Sequence, residues 1–106
     1  MTARDELDAA MTEKELQSDI LKLAERNGWK AFHVYDSRKS SAGWPDLVLV
    51  RGVVLLFLEL KTESGKVADA QQEWIDALQK VRIVSADIAR PHNFDDVRRA
   101  LTARAR

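Results

Sequence analysis

The 106-residue chain has no cysteine, which excludes disulfides and thiolate metal sites. Two prolines and four glycines leave no low-complexity segment, and no internal repeat is visible. No apolar run approaches the roughly 20 residues that cross a bilayer, so no membrane association is expected. The opening Met1-Thr2-Ala3-Arg4-Asp5-Glu6 lacks the apolar core of a secretory signal, and with the missing cysteine it fits a cytoplasmic setting. Neither sign of charge is in excess: 17 basic residues balance 17 acidic ones, without the basic surplus common in nucleic-acid binders. The charge is nonetheless segregated. Asp5, Glu6, Asp8, Glu13 and Glu15 crowd the first 15 residues, whereas Arg98, Arg99, Arg104 and Arg106 follow Val97 without an acid. A locally positive field therefore remains open to the chain.

What is present has the proportions of a soluble globular protein, 45% apolar and 32% charged, and the length predicts one small domain. Residues 1–11 lack clean periodicity and read as a frayed arm, leaving 12–106 as the domain. Leu16, Ile20, Leu23 and Ala24 share one helical face, predicting a helix over 12–27 that Asn27 and Gly28 stop. A strand over 30–35 follows, then a polar loop from Asp36 to Gly43. Strands are predicted over 46–51 and 53–61, the second apolar until Glu59 and hence central. Asp69 is the expected cap of a helix with Trp74, Ile75, Leu78 and Val81 on one face. A strand over 82–89 and a short helix through Val97 and Leu101, capped by Asn93 or Asp95, complete the order α-β-β-β-α-β-α. A strand returning after a helix crossover implies an α/β fold with a mixed sheet flanked by helices.

The most informative segment is Gly43 to Lys61, where two β-branched and leucine-rich runs flank Gly52. Gly52 can supply the positive φ of the first central position of a type II′ turn. Arg51 then pairs with Val54, opposed residue numbers sum to 105, and Asp46 falls across from Glu59. A turn shifted by one residue makes the two acids diagonal neighbours instead, still on one face. Lys61, two residues beyond Glu59, points the same way. Opposed like charges are destabilising, so a cation should offset them, and a bound metal is the simplest candidate. Mg²⁺, a hard ion, takes oxygen ligands of this kind. The residues alone leave open an ordinary hairpin end with a solvated acid and a Glu-Lys pair.

Pro45-Asp46, twelve residues, then Glu59-Leu60-Lys61 resembles the PD-(D/E)XK signature of metal-dependent nucleases. The surrounding Gly43-Trp44-Pro45-Asp46-Leu47, Leu58-Glu59-Leu60-Lys61-Thr62, Gly65-Lys66 and Gln71 are similar to the VRR-NUC branch, over about residues 12–91. The resemblance implies a restriction-endonuclease-like core and a Mg²⁺- or Mn²⁺-dependent DNA endonuclease. Asp46, Glu59 and the Leu60 backbone carbonyl would be metal ligands, and Lys61 would assist the attacking water or the phosphate. It further implies action on branched DNA such as four-way (Holliday) junctions, in a small protein of the kind phage and bacterial genomes encode. Paired junction cuts predict a homodimer. A flap nuclease, an exonuclease or a non-cleaving nucleic-acid-binding module on the same fold are the alternatives.

Other residues carry two readings. Glu15 completes the capping box Thr12-x-x-Glu15, yet the resemblance assigns a metal-linked role to a glutamate here. Gln71 shares the packed face of its helix with Trp74, Ile75 and Leu78 and is assigned to the site, while Gln72, three after Asp69, is assigned to the cap. Arg38, Lys39 and Ser40, just before the Pro-Asp step, and Lys66 on the other side are candidate contacts to DNA phosphates. Trp29, Trp44 and Trp74 read as core or interface rather than base-stacking platforms, and His33 and His92 as weak candidates for any ligand.

Overall fold

A computed structural model describes residues 1–34 and 41–103. The elements are α1 (Ala3–Ala10), α2 (Glu13–Arg26), β1 (Lys30–His33), β2 (Leu47–Arg51), β3 (Val54–Leu60), α3 (Asp69–Gln79), β4 (Val84–Ala89), a 3₁₀ turn (Pro91–Asn93) and α4 (Phe94–Thr102). The four strands form one sheet in the order β1-β2-β3-β4. β1 with β2 and β2 with β3 are antiparallel, and β4 returns parallel to β3. The fold is therefore α/β with a mixed sheet flanked by helices, in keeping with a restriction-endonuclease-like core. No helix among the described residues is long and apolar enough to cross a membrane.

One face of the sheet is buried by α2 and α4. Leu16, Ile20 and Ala24 of α2 and Val97 and Leu101 of α4 pack on Leu47 and Leu49 of β2 and on Leu56, Leu58 and Leu60 of β3. Burying each such leucine contributes about 1.5–3 kcal/mol. The other face carries the odd residues of β3 and the even ones of β2. There α3 lies against β3 and β4 rather than against β1 and β2. Phe32 is 65% exposed and Val50 42% exposed on the β1–β2 half.

The β2–β3 turn is tight because Gly52 has φ +59° and Val53 has a negative φ, as a type II′ turn requires. At the far side of this tip Arg51 acts as a staple. Its guanidinium lies 4.6 Å from the Trp29 ring centroid and donates to the carbonyls of Asn27, Leu101 and Ala103, at the C-terminal ends of α2 and α4.

Several expectations change; β4, for one, begins at Val84 rather than at Arg82. Within residues 1–11, Ala3–Ala10 form a helix rather than a frayed arm. Thr2 and Asp5 make a reciprocal capping box, Asp8 is buried beside Arg4, and Met11 packs on the core. The signal was hidden because α1 buries a charged residue, not an apolar stripe. The first strand ends at His33, and Tyr35 lies outside the described residues. The cap of α3 is Ala68, not Asp69, which is the first helical residue.

Candidate active site

The register of the hairpin brings the acids together. Arg51 pairs with Val54 and Leu47 with Leu58, so Asp46, one step before β2, stands opposite Glu59 near the end of β3. Asp46 is fixed from two sides. Its backbone carbonyl accepts from the Val34 N–H at 3.1 Å, and its Oδ2 accepts from the Leu60 N–H at 2.9 Å.

The loop leading into Asp46 is clamped onto α3. Gly43 has φ +82°, and a Cβ there would come within 2.4 Å of the Ala70 carbonyl group. Only glycine fits this close approach. Trp44 meets Phe57 and Trp74 edge-on at 5.6 and 4.9 Å, and Trp74 Nε1 donates to the Ala42 carbonyl at 3.0 Å. Pro45 is fully buried. The sheet and α3 together thus hold the residue that the loop delivers.

Glu59 is only 2% exposed, and its Oε2 is buried without a hydrogen-bond partner. Lys61 shares its face, with Nζ 3.9 Å from Glu59 Oε1, at the outer limit of an ion pair. Burial, then the negative charge of Asp46 and a side-chain hydrogen bond shared with it, push the Glu59 carboxyl up to about 8; Lys61 opposes the shift and Glu13 adds to it. An unpartnered buried carboxylate oxygen facing a second acid is the donor set a hard divalent cation fits, so the residues present match the metal implied by the signature. Among the described residues no three His, Asp or Glu side chains converge to form a ready-made cage. Mg²⁺ commonly takes one or two carboxylates and completes its shell with water and substrate oxygens.

Glu15 is engaged in the cap of α2. Its Oε1 accepts from the Thr12 backbone N–H and hydroxyl at 3.1 and 3.0 Å, while the Thr12 hydroxyl accepts from the Glu15 N–H, so the capping reading describes its contacts. Glu13, on the first turn of the same helix, is the acid that feels the site: burial and then Asp46 raise its carboxyl, with Lys61 opposing. A signal existed in the chain, because a capping box occupies the third helical residue and leaves the first free.

Gln71, not Gln72, serves the helix start: its Oε1 accepts from the Ala68 N–H at 2.9 Å, whereas Gln72 Nε2 donates to Asp76. Gln71 keeps its amide NH₂, and its backbone borders Gly43. Lys66 is exposed. Arg38, Lys39 and Ser40 lie outside the described residues. Sequence reasoning also passed over Arg90, whose Nη1 donates to the carbonyls of Thr62, Glu63 and Gly65 just beyond Lys61.

No curated protein and no solved structure shows significant similarity to the chain. Residues 5–88, most of its length, match the VRR-NUC domain. With the acids of the Pro-Asp and Glu-Leu-Lys elements facing one another across the hairpin, the chain belongs to the VRR-NUC family, a DNA-acting nuclease branch of the PD-(D/E)XK superfamily.

Proposed function

We propose that the protein is a Mg²⁺- or Mn²⁺-dependent DNA endonuclease that hydrolyses phosphodiester bonds in branched DNA such as four-way junctions, working as a homodimer. The observation that carries the metal requirement is Glu59, buried opposite Asp46 with Oε2 unpartnered. Asp46, Glu59 and the Leu60 carbonyl would hold the ion, while Glu13 adds negative charge to the site. When bound, such an ion lowers the pKa of water and stabilises charge on a phosphoryl oxygen.

The chain's own residues supply the rest. The Leu60 N–H engages one oxygen of Asp46 and so orients the carboxylate. Lys61 presents its ammonium on the face of both acids, where a scissile phosphate would be drawn. Gln71 has donors left to orient a group from the start of α3. Lys66, with Arg38, Lys39 and Ser40, would contact flanking phosphates, positioning the duplex without reading its sequence. The family likeness supports branched DNA. The homodimer is supported by the exposed Phe32 and Val50 on the β1–β2 half of the sheet.

Cleavage of four-way-junction, flap and linear duplex DNA, with and without Mg²⁺ or Mn²⁺, tests the reading. Wild type should cut the junction preferentially and only with metal. Asp46→Asn should abolish cleavage while junction binding persists, because phosphate contacts dominate affinity. Unchanged cleavage by Asp46→Asn would overturn the site.

A further inference from the structure

We propose that Arg90 is a positioning residue for the site: it locks the loop from Lys61 to Lys66 and thereby places both amines, an assignment that rests on the nuclease reading above. Arg90 falls beyond the segment that matches the family. It follows Ala89, the last residue of β4, whose carbonyl accepts from the Lys61 N–H at 3.1 Å. From there the half-buried Arg90 side chain reaches back under the loop. Its Nη1 donates to the carbonyls of Thr62 at 2.8 Å, Gly65 at 3.0 Å and Glu63 at 3.2 Å.

These carbonyls converge because the loop turns tightly. The Gly65 N–H bonds to the Thr62 carbonyl at 3.2 Å, and a Cβ at Gly65 would meet Thr62 Oγ1 at 2.8 Å. Three carbonyl dipoles aimed at one point repel one another, and a single cationic donor offsets that repulsion. Without it the turn has reason to open. Opening would free Lys61 at one end and Lys66 at the other.

The clamp is itself braced. The Arg90 N–H donates to Asn93 Oδ1 at 2.8 Å, and Asn93 Nδ2 donates to the Ile88 carbonyl at 2.9 Å. The 3₁₀ turn that follows Arg90 packs against α1. A second tie joins turn and loop, His92 Nδ1 lying 2.6 Å from Glu63 Oε1. Arg90 is thus held by the scaffold on one side and turns its Nη1 to the loop on the other. Its role is to place Lys61 and Lys66, not to touch the reacting atoms.

Two variants of the full chain test this. Arg90→Ala removes the side chain, and Arg90→Met keeps an apolar stem of similar reach but no donors, which preserves folding if the alanine variant fails. Both should lower kcat on junction DNA by about 10- to 100-fold, the cost of a small misplacement of a catalytic group. The Mn²⁺-dependent rise in melting temperature, which reads Asp46 and Glu59, should stay as in wild type. Millimolar guanidinium should restore part of the activity of Arg90→Ala. Amide exchange over residues 62–66 should quicken at least about tenfold in Arg90→Met, whether or not the protein cuts DNA. Unchanged exchange in that loop would overturn the clamp. So would a kcat within twofold of wild type, or loss of the Mn²⁺ response together with activity. A wild type that cuts no DNA would defeat the nuclease reading alone, leaving the exchange measurement to decide on Arg90.

Discussion

Glu59 is 2% exposed, has one oxygen without a partner and stands opposite another acid, so it is least costly as a neutral group. Its carboxyl sits near 8 in the folded chain against the ordinary 4.5. Between those values the unfolded state has already released this proton and the folded state has not. The folded state therefore binds more protons, and stability falls as pH rises through the window. With a chelator present, wild type should lose on the order of 3 kcal/mol between about pH 5 and about pH 9 in denaturant titrations, and Glu59→Gln should remove most of that slope. Mn²⁺ should raise the melting temperature of wild type but not of Glu59→Gln, since only the folded state gathers the ligands. A flat pH profile in wild type would show an ordinary carboxylate. The facing of Asp46 and Glu59 was readable because strand periodicity and one glycine determine it. Glu13 was not, because Glu15 satisfied two patterns at once and local capping, which needs no tertiary partner, took precedence.

At the scale of elements, the hairpin and the Thr12 start of α2 were legible, whereas α1 and the start of α3 were not. Two apolar runs around Gly52 admit few pairings, whereas a cap depends on a one-residue choice such as Ala68 against Asp69. The placement of α1 depends on its packing against the 3₁₀ turn and on a buried Asp8, contacts no local pattern encodes. The element that links fold to chemistry is the loop pressed on α3. Gly43→Ala would drive a Cβ into the Ala70 carbonyl group at a positive φ. It should cost about 1–3 kcal/mol and reduce cleavage more than the stability loss explains, since the loop must shift and carry Asp46 with it. Circular dichroism melts beside junction-cleavage rates decide this. Wild-type activity in a destabilised variant would separate the loop's packing from its role in placing Asp46.

For the whole molecule, the crossover that makes β4 parallel to β3 followed from the order of elements, but the position of α3 on β3 and β4 did not. Which strands a helix covers is a matter of how α3 crosses them, and Phe32 on the short β1 carries no mark of exposure in its local pattern. If that face joins two copies, light scattering should report twice the 12.0 kDa chain mass, and Phe32→Asp should return the single-chain value. A wild-type particle of one chain mass at assay concentration would remove the dimer. The hairpin also has two ends with different surroundings. Trp44 and Trp74 sit beside the acids, and Trp29 lies under Arg51 at the other end, roughly 15–20 Å of strand away. Each end of the hairpin thus has its own indole, so variants that keep only Trp44 and Trp74 or only Trp29 should report separately, by fluorescence, on the loop that carries Asp46 and on the integrity of the scaffold.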